Sequence, residues 1–184
     1  MAILITMRKG KYTNNDAVEN VLRYVTRTRP MEDRADELIA WGGWGIGTYQ
    51  TPELTIEQFR RLQKIHRIET RGSRIFHEVL RMTEEEFGRL GYDYGRILQI
   101  AANCAKYYYA KGHQAVFAVH LGKADCLDGN KGLHIHFVVN TINFMTGNKW
   151  HSNIRDNTAR ERFFNDVIQG FMDPLPFESS FLFD

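Results

Sequence analysis

Cysteine is scarce in this sequence. Cys104 and Cys126 are the only two, and they form neither a CxxC pair nor a disulfide framework. Free thiols in a reducing cytoplasm are expected. No apolar run reaches the length of a membrane span. The apolar part of the N-terminus, Met1 to Arg8, is too short for a signal peptide. Neither sign of charge dominates: 24 Lys+Arg oppose 22 Asp+Glu, and a net +2 identifies no nucleic-acid partner. Only the distribution of charge can do that. Internal repeats and low-complexity tracts are absent.

What is present fits one domain. The chain has 184 residues, 43% of them apolar, enough for a sizeable core. Ala2 to Met7 reads as a buried strand. Thr13-Asn-Asn-Asp16 offers an N-cap to a helix over 17–25, with Val18, Val21, Leu22 and Val25 on one face. Residues 31–51 read as irregular around Trp41-Gly-Gly-Trp-Gly-Ile-Gly47. A second helix is expected over 55–68, capped by Thr55. A strand over 74–82, a long helix over 92–110, strands over 114–120 and 133–144 and a helix over 158–171 follow. Pro174 and Pro176 end that helix. The chain therefore divides into a domain over 1–172 and a tail over 173–184. The expected class is α+β, a central antiparallel sheet with helices packed mainly on one face.

The most informative stretch is Leu133-His-Ile-His-Phe-Val-Val-Asn140. Strand side chains alternate, so His134, His136, Val138 and Asn140 share one face, and Ile135, Phe137 and Val139 the other. Such a pair is often only the polar decoration of a solvated face. Here the preceding strand ends in His120, which a loop over 122–132 would bring beside the pair. Three neutral imidazoles suit a transition-metal ion and leave coordination positions open to substrate. His66, His77, His113 and His151 read as structural or surface residues.

These residues resemble the HUH endonucleases, and among them the conjugative or mobilisation relaxases. His134-Ile135-His136 matches the His-hydrophobe-His motif, Asn140 its following Asn, and His120 its upstream strand histidine. The resemblance spans roughly residues 15 to 170. It implies one divalent ion, Mn²⁺ or Mg²⁺, held by His120, His134 and His136. It also implies a tyrosine nucleophile, which relaxases carry before the histidine motif and related initiators and transposases after it. All eight tyrosines precede His134, so only the relaxase order is open. Tyr24, in Leu-Arg-Tyr-Val-Thr at the end of the first helix, matches the family context. A core-packed aromatic is the plain alternative, and Tyr12 is the reserve. Relaxases commonly place an acid two residues after the upstream histidine. Here that position is Gly122, with Glu78 or Asp125 as substitutes. Ser73 is the nearest counterpart of a DNA-contacting serine.

The implied function is nicking and rejoining of one DNA strand at a plasmid or conjugative-element transfer origin, through a 5′-phosphotyrosine. Partners would be single-stranded and origin DNA, accessory relaxosome proteins and a coupling protein, and no membrane. Residues 60–74 hold six Lys/Arg against one Glu, the local excess that phosphate contacts need. Arg23, Arg27, Arg67, Arg71, Arg74, Lys131 and Asn140 are the expected DNA contacts. Trp41 and Trp44 either stack bases or pin their loop to the core. No Gly-Lys-Ser/Thr follows the glycines, which excludes a P-loop. A cupin-like oxygenase would want a Glu after the His pair, and none follows. A non-catalytic DNA-binding accessory protein and a rolling-circle initiator are the remaining alternatives.

Overall fold

The computed structural model describes residues 3–6, 12–29, 36–47, 51–67, 72–122, 132–150 and 153–173. Among them run β1 (Ile3–Thr6), α1 (Ala17–Val25), β2 (Asp36–Trp44), α2 (Pro52–Ile65), β3 (Ile75–Arg81), α3 (Glu84–Arg89), α4 (Tyr94–Ala110), β4 (His113–Gly122), β5 (Gly132–Asn143) and α5 (Ile154–Met172). The strands form one sheet in the order β1-β3-β5-β4-β2, every neighbouring pair antiparallel. No described helix is long and apolar enough to cross a membrane.

Local chemistry accounts for the helix starts. In α2, Thr51 accepts a hydrogen bond from the Leu54 amide and Pro52 stands in the first turn. Both are favourable there, so the helix begins earlier than Thr55 and ends at Ile65. α3 was not expected. It opens on a capping box in which Thr83 and Glu86 satisfy each other's backbone amides. α5 uses a second such box, Asn153 with Asp156.

β2 corrects the irregular stretch expected over 31–51. Asp36–Trp44 is an edge strand paired along β4, with a register shift between Leu38 and Ala40. Its glycines hide it from a periodicity search. They are needed because a Cβ at Gly43 would collide with the Ala115 carbonyl oxygen and the Ile46 side chain.

Helices cover both faces of the sheet, rather than mainly one. On one side Ile135, Phe137 and Val139 meet Ile97, Ile100, Cys104 and Tyr108 of α4 and Phe164 of α5, with Phe87 of α3 in the same cluster. On the other, Val116, Ala118 and Val138 meet Val18, Leu22 and Val25 of α1 and Ile56 and Phe59 of α2. The central strands are thus buried on both faces, which explains their nearly continuous apolar runs. The histidines lie on the α1 and α2 side.

Candidate active site

The β4–β5 ladder sets His120 opposite His134 and Ala118 opposite His136. Paired residues share a face, so the three imidazoles gather under α1, with ring centroids 4.6 to 5.4 Å apart. All three are essentially inaccessible to solvent. The fourth member is Asp36, which the sequence did not single out. It opens β2 directly across the ladder from Gly122. A carboxylate thus reaches the histidines from the adjacent strand, beside the position where relaxases commonly carry an acid. Ligand atoms of Asp36, His120, His134 and His136 lie within 4.8 Å of one another. That spacing suits one ion with bonds of roughly 2.0–2.2 Å to nitrogen and oxygen.

The hydrogen bonds fit a cation. His134 Nδ1 donates to the Gly132 carbonyl at 3.1 Å, which leaves a lone pair on Nε2, 3.2 Å from Asp36 Oδ2. His120 Nε2 donates to the Val25 carbonyl at 2.7 Å, so its Nδ1, 3.2 Å from the same Asp36 oxygen, is an acceptor and takes Arg27 at 3.0 Å. His136 Nε2 is buried with no hydrogen-bond partner among the described residues. A buried ring nitrogen without a partner is costly unless an ion takes it. Burial lowers the pKa of His136 well below its ordinary value, helped by the neighbouring histidines and Arg27. Burial lowers His120 as well, against the raising effect of Asp36. Neutral imidazoles are the form a metal requires.

Asp36 feels opposed effects. Burial raises its pKa, but the contacts with His120 and His134 and the charge of Arg27 outweigh this and hold the carboxyl ionised. Arg27 forms a buried ion pair with Asp36 and lies 3.0 Å from His120 Nδ1. Its guanidinium carbon also stands 4.7 Å over the Tyr24 ring. Tyr24 projects from α1 and meets His136 edge-on, centroids 5.7 Å apart at 88°. The two line a cavity of about 240 Å³, together with Tyr12, Asn20, Arg29 and His77. A larger groove of about 520 Å³, walled by Arg23, Glu53 and Arg60, holds none of the histidines. The smaller one is the cavity that adjoins the histidines.

His77 is a second residue that the sequence placed elsewhere. It faces the cluster from β3, with Nε2 2.9 Å from His136 Nδ1 and Nδ1 3.2 Å from Tyr12 Oη. Glu78 points the other way. It pairs with Phe137 in the ladder and is bound by Tyr108 and Arg160 in the opposite core, so it is no partner of the histidines. The alternation along β3 was visible; which face met β5 was not. Asp125, the other candidate, lies outside the described residues, as do Arg71, Lys131 and His151.

Several of the expected DNA contacts have partners within the fold. Asn140 is fully buried, taking Gln63 at 3.1 Å, giving to Gln114 at 2.9 Å and capping the Phe59 carbonyl at 3.2 Å. Arg74 is 4% exposed and reaches Asn15. Arg27 turns into the site. Arg23 is held by Glu19 at 3.0 Å and Glu53 at 2.9 Å. Arg67 is exposed just past α2. The Ser73 carbonyl accepts from Thr141 and Lys149. Trp44 bonds the Ala102 carbonyl at 2.7 Å and stacks on Tyr109, and Trp41 packs on the α1 and α2 side. Both are pinned to the fold.

A histidine and carboxylate cluster on an antiparallel sheet, with a tyrosine at its edge, is the arrangement of an HUH-type nuclease. The family model for the relaxase, MobA/VirD2-like, nuclease domain matches residues 24–170, and the chain belongs to that family. The match begins at Tyr24. No curated protein and no solved structure matches the chain. Membership makes this a DNA-nicking nuclease domain that engages single-stranded DNA.

Proposed function

We propose that this domain cuts and rejoins one strand at a transfer origin, with Tyr24 as nucleophile and one divalent cation, Mn²⁺ or Mg²⁺, held by His120, His134 and His136 with Asp36. The observation that carries the reading is the contact of Tyr24 with His136 at the cavity beside the cluster. A cation held there would draw charge from a phosphate oxygen and help align the strand.

The protein's own groups supply the rest. Arg27, over the Tyr24 ring, stabilises negative charge on the phenolate. Tyr24 Oη gives up its proton and attacks phosphorus. The new P–Oη bond forms as the bond to the 3′-oxygen breaks, and that oxygen takes up, by way of solvent, the proton that Tyr24 released and becomes a 3′-OH. The strand's 5′ end is left as a phosphotyrosine. One phosphoester has replaced another, so attack by the 3′-OH restores the strand without ATP.

The test is a covalent-adduct assay on a denaturing gel, using labelled single-stranded oligonucleotides that tile the transfer origin of the element encoding the protein. Wild type should give a shifted band with Mn²⁺ or Mg²⁺, lost in chelator and in Tyr24→Phe. A band that survives Tyr24→Phe would move the nucleophile, with Tyr12 next. Binding with no band for any oligonucleotide would favour a non-catalytic accessory role.

A further inference from the structure

We infer that His77 is a positioning residue: it selects the ring nitrogen that His136 turns toward the histidine–carboxylate cluster, and Tyr12 anchors it from the other side. The inference rests on the metal reading of that cluster.

The argument follows the protons. His136 Nδ1 lies 2.9 Å from His77 Nε2, and His136 Nε2 is buried with no other described partner. Between two nitrogens at hydrogen-bond distance, one must carry the proton and the other must accept it. If His136 offers its Nε2 lone pair to a cation, its proton must sit on Nδ1. His77 Nε2 must then be the acceptor. A doubly protonated His77 has no acceptor nitrogen, so His77 is neutral with its proton on Nδ1. That proton points at Tyr12 Oη, 3.2 Å away. Tyr12 accepts it, and its own hydroxyl proton remains available toward the cavity it shares with Tyr24. Choosing the metal-facing nitrogen of His136 thus orders every proton out to Tyr12.

The geometry gives His77 little freedom to do otherwise. It is buried, fixed on β3 opposite Val138, and its ring lies nearly parallel to that of His136, 28° apart with centroids separated by 5.2 Å. His134 and His120 settle their tautomers on backbone carbonyls. Of the three cluster histidines, His136 is the one whose outer nitrogen depends on another side chain. Partners of this kind typically change metal affinity by roughly 10–100-fold when removed.

The experiment uses Zn²⁺ as a diamagnetic probe, with calorimetric titration and long-range ¹H–¹⁵N spectra of the histidine rings. In Zn²⁺-loaded wild type, His136 and His77 should both carry the proton on Nδ1. His77→Phe should weaken Zn²⁺ binding by roughly 10–100-fold. His77→Gln, whose amide oxygen can replace the accepting nitrogen, should stay within about threefold of wild type. A proton on Nε2 of His77 in loaded wild type would overturn the inference without recourse to any variant. So would equal Zn²⁺ affinity in wild type and His77→Phe, while leaving the metal reading intact. No Zn²⁺ binding by wild type would overturn the metal reading and this inference with it.

Discussion

Asp36 and Gly122 face each other across the β2–β4 ladder. Through that pairing a carboxylate reaches His120 from 84 residues away in sequence. The same carboxylate neutralises Arg27, with both side chains below a tenth exposed.

Asp36→Asn should therefore harm the protein in two ways. It leaves the Arg27 charge buried without its partner, a loss on the order of 3 kcal/mol. It also removes the anionic member of the cluster. A clear drop in the urea midpoint of chelated protein, together with weaker Mn²⁺ binding, is expected. An unchanged midpoint would show that Arg27 finds water or another acceptor.

Metal-free protein should lose stability in mild acid. Burial, with the nearby His120, lowers the pKa of His77 to about 4, and burial lowers that of His113 as well. Unfolded histidines take up protons near pH ~6.5. Below that pH the unfolded chain binds more protons than the native one, so stability falls as pH drops. The His77 contribution is complete above about pH 6.5 and is lost by about pH 4, on the order of 3 kcal/mol. Urea midpoints measured in chelator at pH 7 and pH 4.5 test this, and His77→Phe should reduce the difference, leaving the part due to His113, His120 and His136.

Asn140→Ala should behave as a core defect. It takes one hydrogen-bond partner from each of the buried Gln63 and Gln114 amides, at a cost of about 1–3 kcal/mol. Thermal melting should fall by roughly 2–12 °C. Oligonucleotide affinity, compared below the melting range, should be nearly unchanged. A selective loss of affinity in a normally stable variant would restore Asn140 as a DNA contact.

Arg67 and Arg23 should separate in binding. Arg67 is exposed, whereas Arg23 is shared between two carboxylates. Arg67→Ala is expected to reduce the slope of log affinity against log salt by about 0.7, one single-strand phosphate contact. Arg23→Ala should leave the slope nearly unaltered. Equal slopes for Arg67→Ala and wild type would remove Arg67 from the interface.

The parts legible in the sequence share a physical basis: they depend on local period. Alternation alone put His134 and His136 on one strand face with Phe137 on the other. Helical spacing set Val18, Val21, Leu22 and Val25 on one face of α1, and Val18, Leu22 and Val25 are buried there. The order of the tyrosines relative to His134 selected the relaxase arrangement, and the family match over 24–170 agrees. β2 was missed because its glycines answer to close backbone approach, not to period. The capping box of α3, Thr83 with Glu86, is equally local, a three-residue spacing carried by the sequence itself.

The sequence by itself determined that two histidines share a face, that a third ends a neighbouring strand, and that any tyrosine nucleophile precedes them. Tertiary structure alone decided who completes the site. Asp36 joins through an edge-strand register, and His77 joins because β3 lies antiparallel to β5 with Val79 opposite His136. The same register turns Glu78 into the opposite core. A strand's own period fixes which of its residues agree in direction; only the partner strand and the helices packed on it fix which direction faces the chemistry.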